Sequence, residues 1–256
     1  MMTKLFKILI LLIYGTFFSQ SITSDYLATY DIKYPFYGKP NNEQFILFIN
    51  TKENVSLYKS TNQYVLDSLI KTKKVGQNDV NAQLKYNTAI PEIVVRRKSK
   101  FQVYEQVIDT KIRYEEPEDI KWTILNERKT YAGYKTRKAY TTKYGRKWIA
   151  WFAEDLPLNF GPYKFSGLPG LIIRMYDEKG EYYFTLSQFK KKRREIILPQ
   201  DKNYKAFTKK AFKNAKYNIQ TDLSNSAIIF NDSKERKEWL DGIIKRIKNS
   251  PNLDIE

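Results

Sequence analysis

Twelve residues near the middle of the chain restrict its fold more than any others: Gly161-Pro162-Tyr163-Lys164-Phe165-Ser166-Gly167-Leu168-Pro169-Gly170-Leu171-Ile172. Glycines 161, 167 and 170 can supply positive φ or close backbone approach, while Pro162 and Pro169 hold φ near −65°. Leu168-Pro169-Gly170-Leu171 fits a type II turn, with Pro at i+1 and Gly at i+2. It runs into Leu171-Ile172-Ile173, a short apolar run that reads as a buried strand. A segment this stiff and apolar has two readings. As a latch it turns a strand and packs Leu168, Leu171 and Ile172 against the sheet. As a recognition surface it leaves Tyr163, Phe165 and Leu168 exposed to a partner, since loops on rigid scaffolds often carry function. An apolar turn feeding a buried strand favours the latch.

The chain of 256 residues opens with Lys4 and Lys7 before an apolar run, Ile8 to Phe18, and a small or polar zone at Ser19-Gln20-Ser21. That is the pattern of a secretory signal over residues 1–20. The run is shorter than the ~20 residues a membrane-spanning helix needs. No cysteine follows it, which excludes a lipoprotein anchor. The expected mature protein, residues 21–256, is then one domain exported to the periplasm. It holds together without disulfides, because cysteine is absent. Twenty tyrosines, fifteen phenylalanines and four tryptophans supply the core, and that aromatic share favours sheet over helix bundle. The formal charge of +17 suits a polyanionic neighbour. Export argues against nucleic acid, and lysines spread over a solvated face are the simplest account.

Hydrophobic patterning reads mostly as strands. Tyr26 to Tyr34 alternates in part, and Gln44 to Asn50 is a continuous apolar run of the kind buried on both faces, with Asn54 to Lys59 as its hairpin partner. Ser60 to Lys71 has roughly helical spacing, and Thr72 to Ile90 reads as a mobile loop. Further strands are expected at Ile93–Arg97, Phe101–Ile108, Lys111–Tyr114 and Ile120–Leu125, the last two separated by an acidic, solvated turn, Glu115 to Asp119. Tyr134–Thr142 and Lys147–Ala153 pair across Lys143-Tyr144-Gly145-Arg146, and Leu171–Tyr176 pairs with Glu181–Phe189. Lys205 to Lys216 reads as a helix. Asp232-x-x-Glu235 opens a final amphipathic helix carrying Trp239, Leu240, Ile243, Ile244 and Ile247. The expected fold is α+β and mostly β, a large curved antiparallel sheet or half-open β-barrel with a few helices.

In Trp148-Ile149-Ala150-Trp151-Phe152-Ala153, alternation puts Trp148 and Trp151 on opposite faces, both apolar. Burying one tryptophan stabilises by several kcal/mol at ~25 cal/mol/Å². The second face therefore either lines an apolar cavity or is covered, and the C-terminal helix around Trp239 is the expected cover.

The run Gly167-Leu168-Pro169-Gly170-Leu171-Ile172 resembles, letter for letter, the signature of the GLPGLI family of secreted bacterial proteins. The similarity continues through Trp122-Thr123-Ile124, Tyr134-Lys135-x-x-Lys138-Ala139, Gly145-Arg146, Ala150-Trp151-Phe152 and Asp155-x-Pro157, and more loosely through Ser250-Pro251-Asn252-Leu253. Thr136 stands where the family often has cysteine, so any thiol role there is absent. The resemblance implies an exported protein with a fold like periplasmic half-open barrels that carry lipoproteins or sense envelope stress. It implies no activity.

Histidine and cysteine are both absent. That rules out a Ser-His-Asp triad, a thiol nucleophile and His-ligated zinc or haem. No catalytic residue, metal site or cofactor is expected. A pair of carboxylates of the glycosidase kind needs Glu154 and Asp155 or the 115–119 cluster, and adjacent strand residues face opposite ways. The leading expectation is thus a non-enzymatic envelope protein that binds an apolar or amphipathic ligand or a partner polypeptide. Its candidate contacts are Tyr163, Phe165, Leu168, Trp148 and Trp151. An interaction accessory of an outer-membrane transport or secretion system comes second, and a carboxylate hydrolase of an anionic glycan last. The basic run Lys190, Lys191, Lys192, Arg193 and Arg194 could meet anionic lipid headgroups or simply be a solvated strand end.

Overall fold

The structure, a computed structural model, describes residues 21–224 and 230–254. The expected signal, residues 1–20, lies outside the described residues. In chain order the elements are β1 (Ser21–Phe36), β2 (Lys39–Asn50), β3 (Val55–Ser60), α1 (Thr61–Lys71), α2 (Val80–Lys85), β4 (Ile93–Arg97), β5 (Lys100–Val107), β6 (Thr110–Pro117), β7 (Thr123–Tyr131), β8 (Tyr134–Lys143), β9 (Arg146–Ala153), β10 (Leu171–Asp177), β11 (Tyr183–Ile197), β12 (Lys205–Phe207), α3 (Lys209–Thr221) and α4 (Ser233–Asn249). All the strands join one open sheet in the order β12-β6-β5-β4-β3-β2-β1-β11-β10-β9-β8-β7. Two meanders, β1 to β6 and β7 to β11, meet where β1 pairs antiparallel with β11. The short β12 lies parallel to β6, which makes the sheet mixed. The architecture is thus mostly β with four helices and an unclosed sheet, as the patterning predicted.

Alternation explains why β2 and β3 read as continuous apolar runs. Phe45, Leu47, Ile49 and Tyr58 point to one face, here the inner face, and join the main core. Ile46, Phe48, Val55 and Leu57 point to the outer face and form a second cluster. On that outer face Tyr64 of α1 packs on Phe48, and Tyr204 packs on Tyr104. The inner core is covered by the segment between β9 and β10, by Phe212 of α3 and by Leu253.

That covering segment is the proline-glycine stretch. Phe165 sits edge-on to Trp148 at 4.9 Å and to Tyr144 at 5.6 Å. The backbone is tied at several points: Gly167 N–H donates to Asn159 O (3.1 Å), and Ile172 N–H donates to Phe160 O (3.2 Å). Trp122 Nε1 donates to Ser166 O (2.8 Å), and Tyr30 Oη donates to Ile172 O (2.8 Å). The stretch acts as a latch over the inner face. The expected type II turn is not present, because positive φ falls at Gly167 (+88°) and not at Gly170. Gly170 is needed for a different reason: a Cβ there would overlap the carbonyl oxygen of Ala153 on the paired strand.

Three other expectations are corrected. Thr72 to Ile90 contains the helix α2, capped by Asp79, which accepts from Ala82 N–H. The turn at 115–119 is not simply solvated: Glu118 pairs with Arg96 at 2.7 Å, and Glu116 reaches the buried Lys164 at 2.7 Å. α4 begins with the expected cap, Asp232 accepting from Glu235 N–H at 2.8 Å, but it does not cover Trp151. Trp151 lies against Tyr131 at 5.3 Å, with Lys129 and Lys138 ammonium groups 5.5 and 5.8 Å from its ring. Long side chains of the neighbouring strands lay their apolar stems over it in place of a helix. The basic run Lys190–Arg194 continues β11 beside β1, where Lys191 to Arg194 are exposed.

Gly170→Ala should destabilise by at least ~2–3 kcal/mol, because backbone cannot move aside as a flexible side chain can. Gly167→Ala, in open space but at positive φ, should cost ~1–2 kcal/mol. Urea denaturation midpoints of the two variants check this ranking.

Candidate functional site

A cavity of about 780 Å³ opens between the inner face of β5, the loop at 87–92, α3 and the end of α4. It falls in the size range of small-molecule pockets. Apolar walls come from Tyr34, Ile90, Val103, Tyr163, Phe212 and Ile247, and nearly as much of the lining is polar. Strand alternation carries Val103, Glu105 and Val107 to the same inner face. Thr208 starts α3 by accepting from Ala211 N–H at 3.3 Å. From that start, i, i+3, i+4 and i+7 spacing sets Lys209, Phe212, Lys213 and Lys216 on one side of the helix.

Two ionic groups mark the site. In the first, the Lys216 ammonium lies 2.8 Å from the Glu105 carboxylate and 3.6 Å from that of Glu92. Burial pushes the Glu105 carboxyl up to about 7, Lys216 opposing the shift and Glu92 adding to it. Burial works against the Lys216 charge, but Glu92 and Glu105 outweigh it and hold the ammonium above its ordinary value. In the second, Lys164 of the latch is wholly buried, 2.7 Å from Glu116 and 2.5 Å from Asp254. It also donates to Tyr114 Oη at 3.0 Å and lies 4.1 Å from the centre of the Tyr144 ring. Lys209 supports Asp254 at 2.9 Å. Burial raises the Asp254 carboxyl, and Lys164 and Lys209 overcome that effect and hold it below the usual range.

Of the five candidate contacts read from the sequence, only Tyr163 borders the cavity. Phe165 and Leu168 are each 1% exposed, so the exposed recognition surface expected of this stretch does not form. Trp148 and Trp151 lie on opposite faces, both buried, and neither lines the cavity. The inner face of residues 122–189, where a ligand carrier would need its apolar cavity, is instead packed with Trp148, Phe165 and Phe184. Glu154 is bound at the surface by Arg128 and Arg137, whose hydrogen bonds hold its carboxyl below the usual range. Sequence reading missed Lys164, Glu105, Lys216 and Asp254. Two carried a signal: Lys164 interrupts an apolar run, and Glu105 occupies an inward position between Val103 and Val107. Among the described residues no group of three or more acidic, histidine or cysteine side chains is placed to hold a metal. Among the same residues no helix is long and apolar enough to cross a membrane.

Residues 96–174, which include the latch, match the profile of a family described as "Protein of unknown function (Porph_ging)". No curated protein matches the chain. Among solved structures, PNGF-II is similar at 18% identity and a TM-score of 0.50, over 77% of this chain and 34% of that one. That similarity shows a shared fold, and the chain spans about a third of PNGF-II's length. MucB in complex with MucA(peri) aligns at 11% identity and a TM-score of 0.30, over 72% of this chain and 54% of that one. A putative outer membrane lipoprotein-sorting protein domain from Vibrio parahaemolyticus aligns at 10% identity and a TM-score of 0.29, over 75% and 91%. These two likenesses are too slight to carry an argument.

Lys164→Met leaves Glu116 and Asp254 with only the more exposed Lys209 and Lys213 near them, and should destabilise by about 3–5 kcal/mol. Glu105 makes the opposite contribution at neutral pH. Its folded-state value lies above its unfolded one, so the folded protein holds the extra proton and stability falls as pH rises from about 4.5 through 7. The fall should be on the order of 2–3 kcal/mol and should flatten in Glu105→Gln. Urea midpoints measured from pH 5 to 8 read both effects.

Proposed function

We propose that the protein is an extracytoplasmic, periplasmic binding protein of the envelope without catalytic activity. Its cavity receives an apolar or amphipathic ligand, or an apolar stretch of a partner polypeptide. One observation carries the reading: an open cavity of about 780 Å³ whose walls, apolar in part, hold an ion pair between the buried Glu105 and the half-buried Lys216. A pocket of this size, with apolar walls, convergent polar groups and a shifted carboxyl, is a form that binding sites take. The absence of catalysis is supported by the state of the acidic groups near it. Glu105 and Asp254 are bound by lysines, which leaves no free carboxylate pair between them. Export is supported by the Lys4, Lys7 and Ile8–Phe18 pattern. A partner docking through Phe165 and Leu168 is set aside, since both side chains lie inside the latch.

Bulky residues at the half-buried rim test the cavity without cutting into the core. Ala89→Trp and Ile247→Trp should each weaken binding of a fluorescent apolar dye at least tenfold, about 1.4 kcal/mol, while the melting temperature moves little. Native mass spectrometry of protein purified from its own envelope should show a bound species that the variants lack. Unchanged dye affinity in both variants would refute the reading.

A further inference from the structure

The outer face of the sheet, from β8 through β11 to β1 and β2, carries an arrangement that the cavity does not use. Pairing register places Lys138, Trp151, Arg174, Thr185, Asp31 and Gln44 in one unbroken row across six strands. A second row, Tyr140, Ile149, Tyr176, Tyr183, Lys33 and Asn42, runs beside it. Six strands at about 4.8 Å give a strip ~24 Å long. Between the rows lies a groove of about 510 Å³ bounded by Asp31, Lys33, Asn42, Arg174, Tyr183 and Thr185. The helices lie elsewhere: α1 packs on β2 and β3, and α3 on β5, β6 and β12.

The cations of this strip are held in an unusual way for this molecule. Elsewhere in the sheet, cations that lie over rings, such as Arg96, Lys143 and Arg146, are also paired with carboxylates. Lys138 at one end of the strip is paired in the same way, with Glu127 at 2.9 Å, while three other cations rest on aromatic rings alone. The Arg174 guanidinium lies 5.0 Å from the Tyr131 ring and 5.8 Å from that of Tyr176. Lys33 lies 6.0 Å from the Tyr183 ring, and Lys129 lies 5.5 Å from that of Trp151. None of these three cations has an ion-pair partner among the described residues. A ring positions a cation without neutralising it, so its charge stays available to an anion. Two donors nearby are also unsatisfied, Arg174 Nε and the indole Nε1 of Trp151, the latter on a side chain 1% exposed.

We infer that this strip is a binding surface for an acidic polysaccharide, a sugar chain carrying carboxylate or sulfate groups. Charge complementarity supplies the anion, and the formal charge of +17 extends the attraction over distance. The remaining exposed groups are the Asp31 carboxylate, which accepts from Gln44 Nε2 at 2.9 Å, and the Asn42 amide and Thr185 hydroxyl, which suit a partner rich in hydroxyls. A flat bilayer surface would not enter a groove. Stacked nucleic-acid bases need open ring faces, but Tyr176 and Tyr183 stack on each other at 5.6 Å and Tyr131 is capped by Arg174.

The experiment uses the full mature chain with immobilised polygalacturonate and dextran sulfate, neutral dextran, a single-stranded oligothymidylate and anionic phospholipid vesicles. The acidic polysaccharides should bind and neutral dextran should not. Lys33→Gln with Arg174→Gln should weaken that binding at least tenfold, whereas Lys52→Gln with Lys73→Gln, which removes equal charge from exposed turns, should change it less than twofold. Lys33→Gln alone, confined to one exposed side chain, should weaken it at least threefold and answers any loss of folding in the double variant. Apolar-dye binding should be unaffected in all of them, which separates this surface from the cavity. Equal loss in both double variants would overturn the assignment. So would binding to the oligothymidylate or the vesicles as tight as to the acidic sugars, or failure of either acidic polysaccharide to bind.

Discussion

A single ammonium group organises the inner face of the protein. Lys164 projects from the latch into a space with no solvent, and two carboxylates from distant parts of the chain meet it there. Glu116 comes from the end of β6 and Asp254 from the C-terminal segment, so one buried charge ties the latch, the first meander and the chain's end together. An uncompensated charge in such a place would cost several kcal/mol. The three elements therefore have to be in position at the same time. Aromatic packing adds to this, with Phe165 set against Trp148 and Tyr144 on one side and Tyr163 facing Tyr58 on the other.

The same arrangement places the cavity. The latch fills the inner face of β8 to β11, and the cavity lies toward β5 and the helices. There Lys216 and Glu105 occupy positions that an apolar residue would fill if packing were the sole requirement. Burial works against the Glu105 charge, and the Lys216 ammonium offsets only part of that effect. A group kept at such a cost is a reason to look for function at that position.

Three hairpins, β2 with β3, β8 with β9 and β10 with β11, were legible in the sequence, because apolar runs and turn residues such as Tyr144-Gly145 specify local antiparallel pairs. Most of the run from Gln44 to Asn50, from Phe45 onward, was legible as doubly buried for the same local reason. What pairing joins the meanders was not legible: β1 against β11 is a contact between residues more than 140 positions apart, and no periodicity reports it. Tyr163 was found because it sits in a conspicuous stretch. Asp254 was not, since an acidic residue near a chain end has no local pattern to separate it from a solvated tail. The role of Gly170 was misassigned for an instructive reason. A Pro-Gly pair signals a turn, whereas here the glycine is required by a neighbouring backbone that comes too close for any side chain.

The pairing of β1 with β11 also sets the order in which the molecule can be completed. The first described strand receives one of its two neighbours early, from β2 across a short turn, and the other only after β11 has been made. Until then one long edge of β1 presents unpaired N–H and C=O groups, the kind of edge that invites pairing with another chain. Loop closure over most of the chain makes this step slow compared with the hairpins. An unfinished chain is thus an open-edged half sheet, and its protection while it waits is a requirement that falls on the cell.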